Sequence, residues 1–120
     1  MDYIYLDLDK RPQSQPPVTL RFGERKAVDV IAVVTDHGYE VDLSHYAVTF
    51  ECRLRDGPVT AACEVSGTYA AFTLPPEMAE QTGQWDAYLS LEAEGVRTTT
   101  NDFCIHTIAG REGRRCSRFA

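Results

Sequence analysis

The residue pair best suited by type to chemistry is Cys104 and His106, two apart in FCIHTI. On a strand they fall on one face, where zinc could take both, but a third and fourth ligand at suitable spacing are missing. As a nucleophile pair they are poorly placed, because an i, i+2 spacing on a strand rarely brings the imidazole onto the sulfur. Glu77 and Glu80 in LPPEMAEQTGQW stand three apart on one predicted helical turn, which is the spacing of paired carboxylates for acid–base work. Asp36, Glu40 and Asp42 crowd one turn but lack the Gly and Glu positions of a calcium loop. No HExxH, GxSxG, P-loop or GxGxxG pattern occurs. The expectation is therefore a protein without catalytic residues, metal ligands or a cofactor, and not an enzyme.

Charge narrows the partners. The 120 residues hold 12 Lys+Arg and 18 Asp+Glu, a net charge of −6. Residues 1–109 hold 8 Lys+Arg against 17 Asp+Glu, or −9, and residues 110–120 hold four arginines against Glu112, or +3. An acidic body repels phosphate, so nucleic-acid binding is not expected. GREGRRCSRFA reads as a basic, flexible, solvated segment that could also touch acidic groups of a neighbouring subunit. No apolar run reaches membrane-spanning length, and MDYIYLDLD is the opposite of a signal peptide's basic start. Cys52, Cys63, Cys104 and Cys116 show no C-x-x-C spacing and are expected reduced. A symmetric hairpin through Asp56-Gly57-Pro58-Val59 would set Cys52 opposite Cys63, as two small buried hydrophobes or, alternatively, a cross-strand disulfide.

The elements that must position these residues alternate with period two. Residues 1–9 form the first strand, with Ile4, Leu6 and Leu8 on one side and Tyr3, Tyr5, Asp7 and Asp9 on the other. Residues 10–17 carry three prolines and read as a linker or an edge crossing. About eight short strands follow from one turn signal to the next, which predicts an all-β, antiparallel β-sandwich in one domain over residues 1–109. In LPPEMAEQTGQW, Pro75-Pro76 stops a strand and presets a short helical turn near residues 76–82. Met78 and Ala79 would cap the core there, and Gly83 would supply a left-handed helix end before Trp85 turns inward. Glu77 and Glu80 are then the wet side of a corner between sheets.

One strand breaks the alternation. In AVDVIAVVTD both faces are apolar, with Ile31 and Val33 opposite Val30, Ala32 and Val34. Either a loop or the first strand covers the second face, or that face meets a partner. Tyr3, Tyr5, Ile31 and Val33 are the candidate protein-interface residues. Tyr3, Tyr5, Tyr39, Tyr69 and Tyr88 would alternatively suit a glycan-binding surface, with carboxylates beside the rings.

The serial order of LRFGERKAVDVIAVVTDHGYEVDLSHYAVTFECRLRDG, LPPEMAEQTGQWDAYLSLEAEG and TTTNDFCIHTI resembles the N-terminal immunoglobulin-like domain of phage baseplate upper proteins. The resemblance spans roughly Val18 to Ile108 and is carried by turns and strands, with no catalytic signature among them. It implies an immunoglobulin-like sandwich in a tailed phage or prophage, docking onto other tail or baseplate proteins as a homo-oligomer in the virion. Twelve residues follow Ile108, short of the family's helical linker and receptor-binding-protein region. The expected role is accordingly a docking plug, a tail decoration or a ring component.

Overall fold

The computed structural model describes residues 2–10, 15–23 and 27–109. Residues 11–14 of the Pro-rich linker, and the basic segment 110–120 with Cys116, lie outside the described residues. The described chain forms two β-sheets packed face to face, an all-β sandwich. Sheet A contains β1 (Asp2–Asp7), β3 (Asp29–Asp36), β8 (Tyr69–Thr73) and β7 (Glu64–Ser66) in that order, with β4 (Tyr39–Glu40) also paired to β3. Sheet B orders β2 (Val18–Arg21), β11 (Phe103–Ile108), β9 (Gly83–Ala93), β5 (Ala47–Leu54) and β6 (Gly57–Ala62), with β10 (Val96–Thr99) also paired to β9.

Period-two alternation is what makes two sheets share one core. Val30, Ala32 and Val34 of β3 point inward together with Ile4 and Leu6 of β1 and Phe72 of β8. From sheet B come Phe50, Leu89, Leu91, Trp85 and Ile105. Phe50 stacks on Phe72 across the core at 4.8 Å between ring centroids, and Phe103 completes the aromatic centre. Such ring pairs add to what burial alone contributes.

The eleven strand segments refine the expected eight, because several are only two to four residues long. Two pairings are parallel, β1 with β3 and β2 with β11; the rest are antiparallel. Both parallel strands are edge strands at the N-terminal side, joined by the crossing from sheet A to sheet B. Two hairpins have two-residue turns of one kind: His37-Gly38 (φ 54° and 86°) and Glu94-Gly95 (φ 53° and 80°) adopt positive φ at both central positions, which suits the twist of two-residue hairpins.

The third hairpin differs from expectation. Leu54 pairs with Gly57, so Arg55-Asp56 make the turn and Cys52 faces Val59 instead of Cys63. Gly57 takes φ 132° as the first residue of β6, a conformation open to glycine, and Pro58, lacking N–H, falls at a position facing away from β5. Cys63 follows β6 where the chain leaves sheet B for sheet A, and both thiols are free.

The 74–85 corner crosses from β8 to β9 as expected. A 3-10 turn spans Pro76–Glu80, burying Met78 and Ala79 and leaving Glu77 and Glu80 in water. Gly83 serves differently from the expected helix end. The turn is closed by Gln81 in extended conformation, and Gly83 opens β9 at φ 150° with the Trp85 ring 3.0 Å from where a Cβ would stand.

Candidate functional site

The four residues singled out as an interface lie on one surface. In the parallel register Tyr3 stands beside Ile31 and Tyr5 beside Val33. Across β3, Ile31 pairs with Ala71 and Val33 with Tyr69, and β7 continues the rows with Glu64 and Ser66. The outer face of sheet A is thus two rows: Tyr3, Ile31, Ala71, Glu64 and Tyr5, Val33, Tyr69, Ser66. Tyr3, Tyr5 and Tyr69 are 59%, 55% and 49% exposed, and Ile31 and Val33 are half-buried between them. Four strands about 4.8 Å apart and four residues of rise give this face roughly 250 Å².

This settles the question raised by the two-sided apolarity of β3. The first strand lies beside β3 and widens its outer face; it does not lie over it. The outer face of sheet B is different in kind, with Thr19, Gln84, Asp86, Glu51 and Tyr88. There the Tyr88 hydroxyl donates to Glu51 and Arg97 pairs with Glu51 at 2.9 Å. A hydrogen bond from Ser90, supported by Arg97 and Tyr88, outweighs burial and holds Glu51 below the usual carboxylate range. Tyr88 is therefore a structural partner within sheet B. Tyr39 projects from the β3–β4 hairpin, 80% exposed.

Asp7 fixes the strand that carries Tyr3 and Tyr5. The pattern predicts it wet, yet it is 3% exposed. Its carboxylate accepts hydrogen bonds from Thr35 Oγ1 (2.7 Å), the Asp9 N–H (2.9 Å) and the His37 and Gly38 N–H groups (both 3.0 Å). Its own backbone exchanges hydrogen bonds with Asn101, N–H to Oδ1 at 2.8 Å and C=O from N–H at 3.1 Å. Burial opposes the charge, but the donors led by Thr35 prevail and hold this carboxyl well below its ordinary value. Gln15, past the end of β1, caps the strand's outer edge by bonding both the N–H and C=O of Tyr5. The signal for Asp7 was absent from the sequence, since the turn and the Thr100-Asn101 segment that cover it come from far along the chain.

The chemistry-bearing pairs are not assembled into a site. Cys104 and His106 sit half-buried on β11, opposite Asp86 and Gln84. Burial, with Asp86 adding, pushes the Cys104 thiol up, contrary to what a nucleophile requires. Among the described residues no group of three or more His, Cys, Asp or Glu side chains could hold a metal ion. No described helix is long and apolar enough to cross a membrane.

Strand content, two-sheet order and the Phe50–Phe72 core define an all-β sandwich with one aromatic outer face. A solved structure shares that fold: the N-terminal domain of phage TP901-1 ORF48, at TM-score 0.67 and 14% identity, covering 92% of this chain and 99% of that one. No family model matches the chain, and no curated protein does.

Proposed function

We propose that the chain is a non-enzymatic structural module of a phage or prophage tail or baseplate, acting by protein–protein docking and assembly through the outer face of sheet A. The observation that carries this reading is the convergence of Tyr3, Tyr5, Ile31 and Val33 with Tyr69 and Ala71 on one unpartnered face. Tyrosine is enriched among the residues that carry binding energy in protein interfaces, and this face groups three exposed tyrosines around two half-buried apolar side chains. The phage origin of the structural neighbour and the serial resemblance of Val18 to Ile108 to baseplate upper proteins support the tail context. The strand orders β1-β3-β8-β7 and β2-β11-β9-β5-β6 support the immunoglobulin-like reading, although β1 runs parallel to β3. Homo-oligomers in the virion are the expected assembled form.

Purified tailed particles from a producing host, analysed by mass spectrometry, test this directly. The chain should be present at a fixed stoichiometry to the tail proteins; its absence contradicts the proposal. A second reading has one observation in its favour: Tyr3, Tyr5 and Tyr69 share their face with Glu64, and Asp29 lies at the end of β3, the tyrosine-plus-carboxylate pattern that suits a glycan. A glycan array with hits abolished by Tyr5→Ser would favour it.

A further inference from the structure

The two sheets differ in charge as sharply as in polarity. No strand of sheet A contains lysine or arginine; its charged residues are Asp2, Asp7, Asp29, Asp36, Glu40 and Glu64. With Asp7 buried and saturated, Asp29 and Glu64 stand in the register of the aromatic face, and Asp2, Asp36 and Glu40 lie at strand ends of the sheet. Sheet B balances Arg21, Arg53 and Arg97 against Glu51, Asp86 and Glu92. A partner for sheet A must bring cations around an apolar centre. A second copy of the same face cannot do this. It would set carboxylates against carboxylates.

The chain itself contains a segment of the required chemistry. Residues 110–120 hold Arg111, Arg114, Arg115 and Arg118 with Phe119. Guanidinium groups bind carboxylates and stack on tyrosine rings, and Phe119 supplies an apolar anchor. Taking the docking reading above as its basis, we infer that residues 110–120 of a second copy lie across the outer face of sheet A, joining copies head to tail. Docking on the segment's own sheet A is the poorer geometry. β11 ends in sheet B, and rounding the sandwich takes roughly 15–20 Å, or about 5–6 residues, so Arg111 and Arg114 would be left on the way. A contact of this kind is heterologous and generates rings or filaments, depending on whether the rotation closes.

Sedimentation velocity on the full chain, from about 1 µM to about 1 mM, tests the inference. The expected result is a mass that rises with concentration and falls as salt is raised from about 0.05 M to about 0.5 M. Replacing Arg111, Arg114, Arg115 and Arg118 together by Glu should weaken association at least about tenfold, as should Asp29→Lys with Glu64→Lys. A chain carrying both sets of changes should associate again, which a merely misfolded variant would not do. A wild-type chain that stays monomeric, including one whose segment folds back on its own sheet, overturns the inference, as does association that both variants leave unchanged. If the wild type is monomeric yet enters tail particles through its Tyr3 and Tyr5 face, the inference fails alone and the docking function stands.

Discussion

Replacing Asp7 by Asn removes one charge and very little volume, and the structure sets the cost. One carboxylate oxygen accepts from the Asp9 and His37 N–H groups and the other from Thr35 Oγ1 and the Gly38 N–H. Whichever way an amide is turned, its NH₂ meets two donors. The Thr35 hydroxyl can turn to Leu6 O, already 3.3 Å away, but a backbone N–H cannot move with it. Losing about two hydrogen bonds to a charged group, at about 1.5–3 kcal/mol each, less the burial cost of the charge, predicts a loss of about 2–4 kcal/mol. For a domain of 120 residues that is a fall in Tm of roughly 8–16 °C.

The sign of the pH dependence adds a second check. A folded carboxyl held low contributes stability that is full above its unfolded value of about 4 and lost as pH falls through the folded value. Wild type should therefore shed this stability between about pH 5 and about pH 2, and the gap to Asp7→Asn should close in acid. Urea titrations followed by Trp85 fluorescence at several pH values measure both. A cost under about 0.5 kcal/mol, or a gap that does not change with pH, would refute the assignment of Asp7 as the anchor of β1.

Three further outcomes follow from the corner and the thiols. Gly83→Ala should cost about 2–3 kcal/mol in the same titration, since φ 150° suits only glycine and the new Cβ meets the Trp85 ring. That ring is held by Nε1–H donation to Thr107 Oγ1, with Arg55 stacked on its face at 5.3 Å. Thr107→Val, which keeps the shape but leaves the Met78 carbonyl and Trp85 Nε1 without their partner, should cost about 1–3 kcal/mol by thermal unfolding. Burial pushes Cys52 up to about 11, with Asp86 adding, and Cys63 up to about 12 against an opposing hydrogen bond at Phe50. At pH 8 no more than roughly a thousandth of either thiol is thiolate, so iodoacetamide should leave both unmodified in the folded chain and label them after unfolding, read by peptide mass spectrometry.

Most of the fold was legible in the sequence because alternation is a local signal. Val48, Phe50, Cys52 and Leu54 face inward as their spacing requires, and His37-Gly38 and Glu94-Gly95 turn where small or polar residues permit positive φ. The corner was legible because Pro75-Pro76 can only end a strand. Register across the β5–β6 hairpin was not, since shifting the turn from Asp56–Val59 to Arg55-Asp56 keeps every inward residue inward while moving Cys63 away from Cys52. Nor was the direction of β1, whose alternation is the same parallel or antiparallel. The four interface candidates were found because β3 is apolar on both faces. Tyr69 and Ala71, which complete that face, depend on cross-strand pairing, and Asp7 depends on contacts with residues 28–31 positions away and with Asn101.

The docking face is tested most directly by incorporation into particles. Tagged wild-type chain and a Tyr3→Ser, Tyr5→Ser chain would be expressed together at equal level during particle assembly, and the ratio in purified particles compared with the ratio in the lysate. Both tyrosines are more than half exposed, so the variant should keep its folded stability within about 1 kcal/mol. The account predicts that the variant is depleted from particles at least about tenfold. Equal incorporation of the folded variant would contradict it.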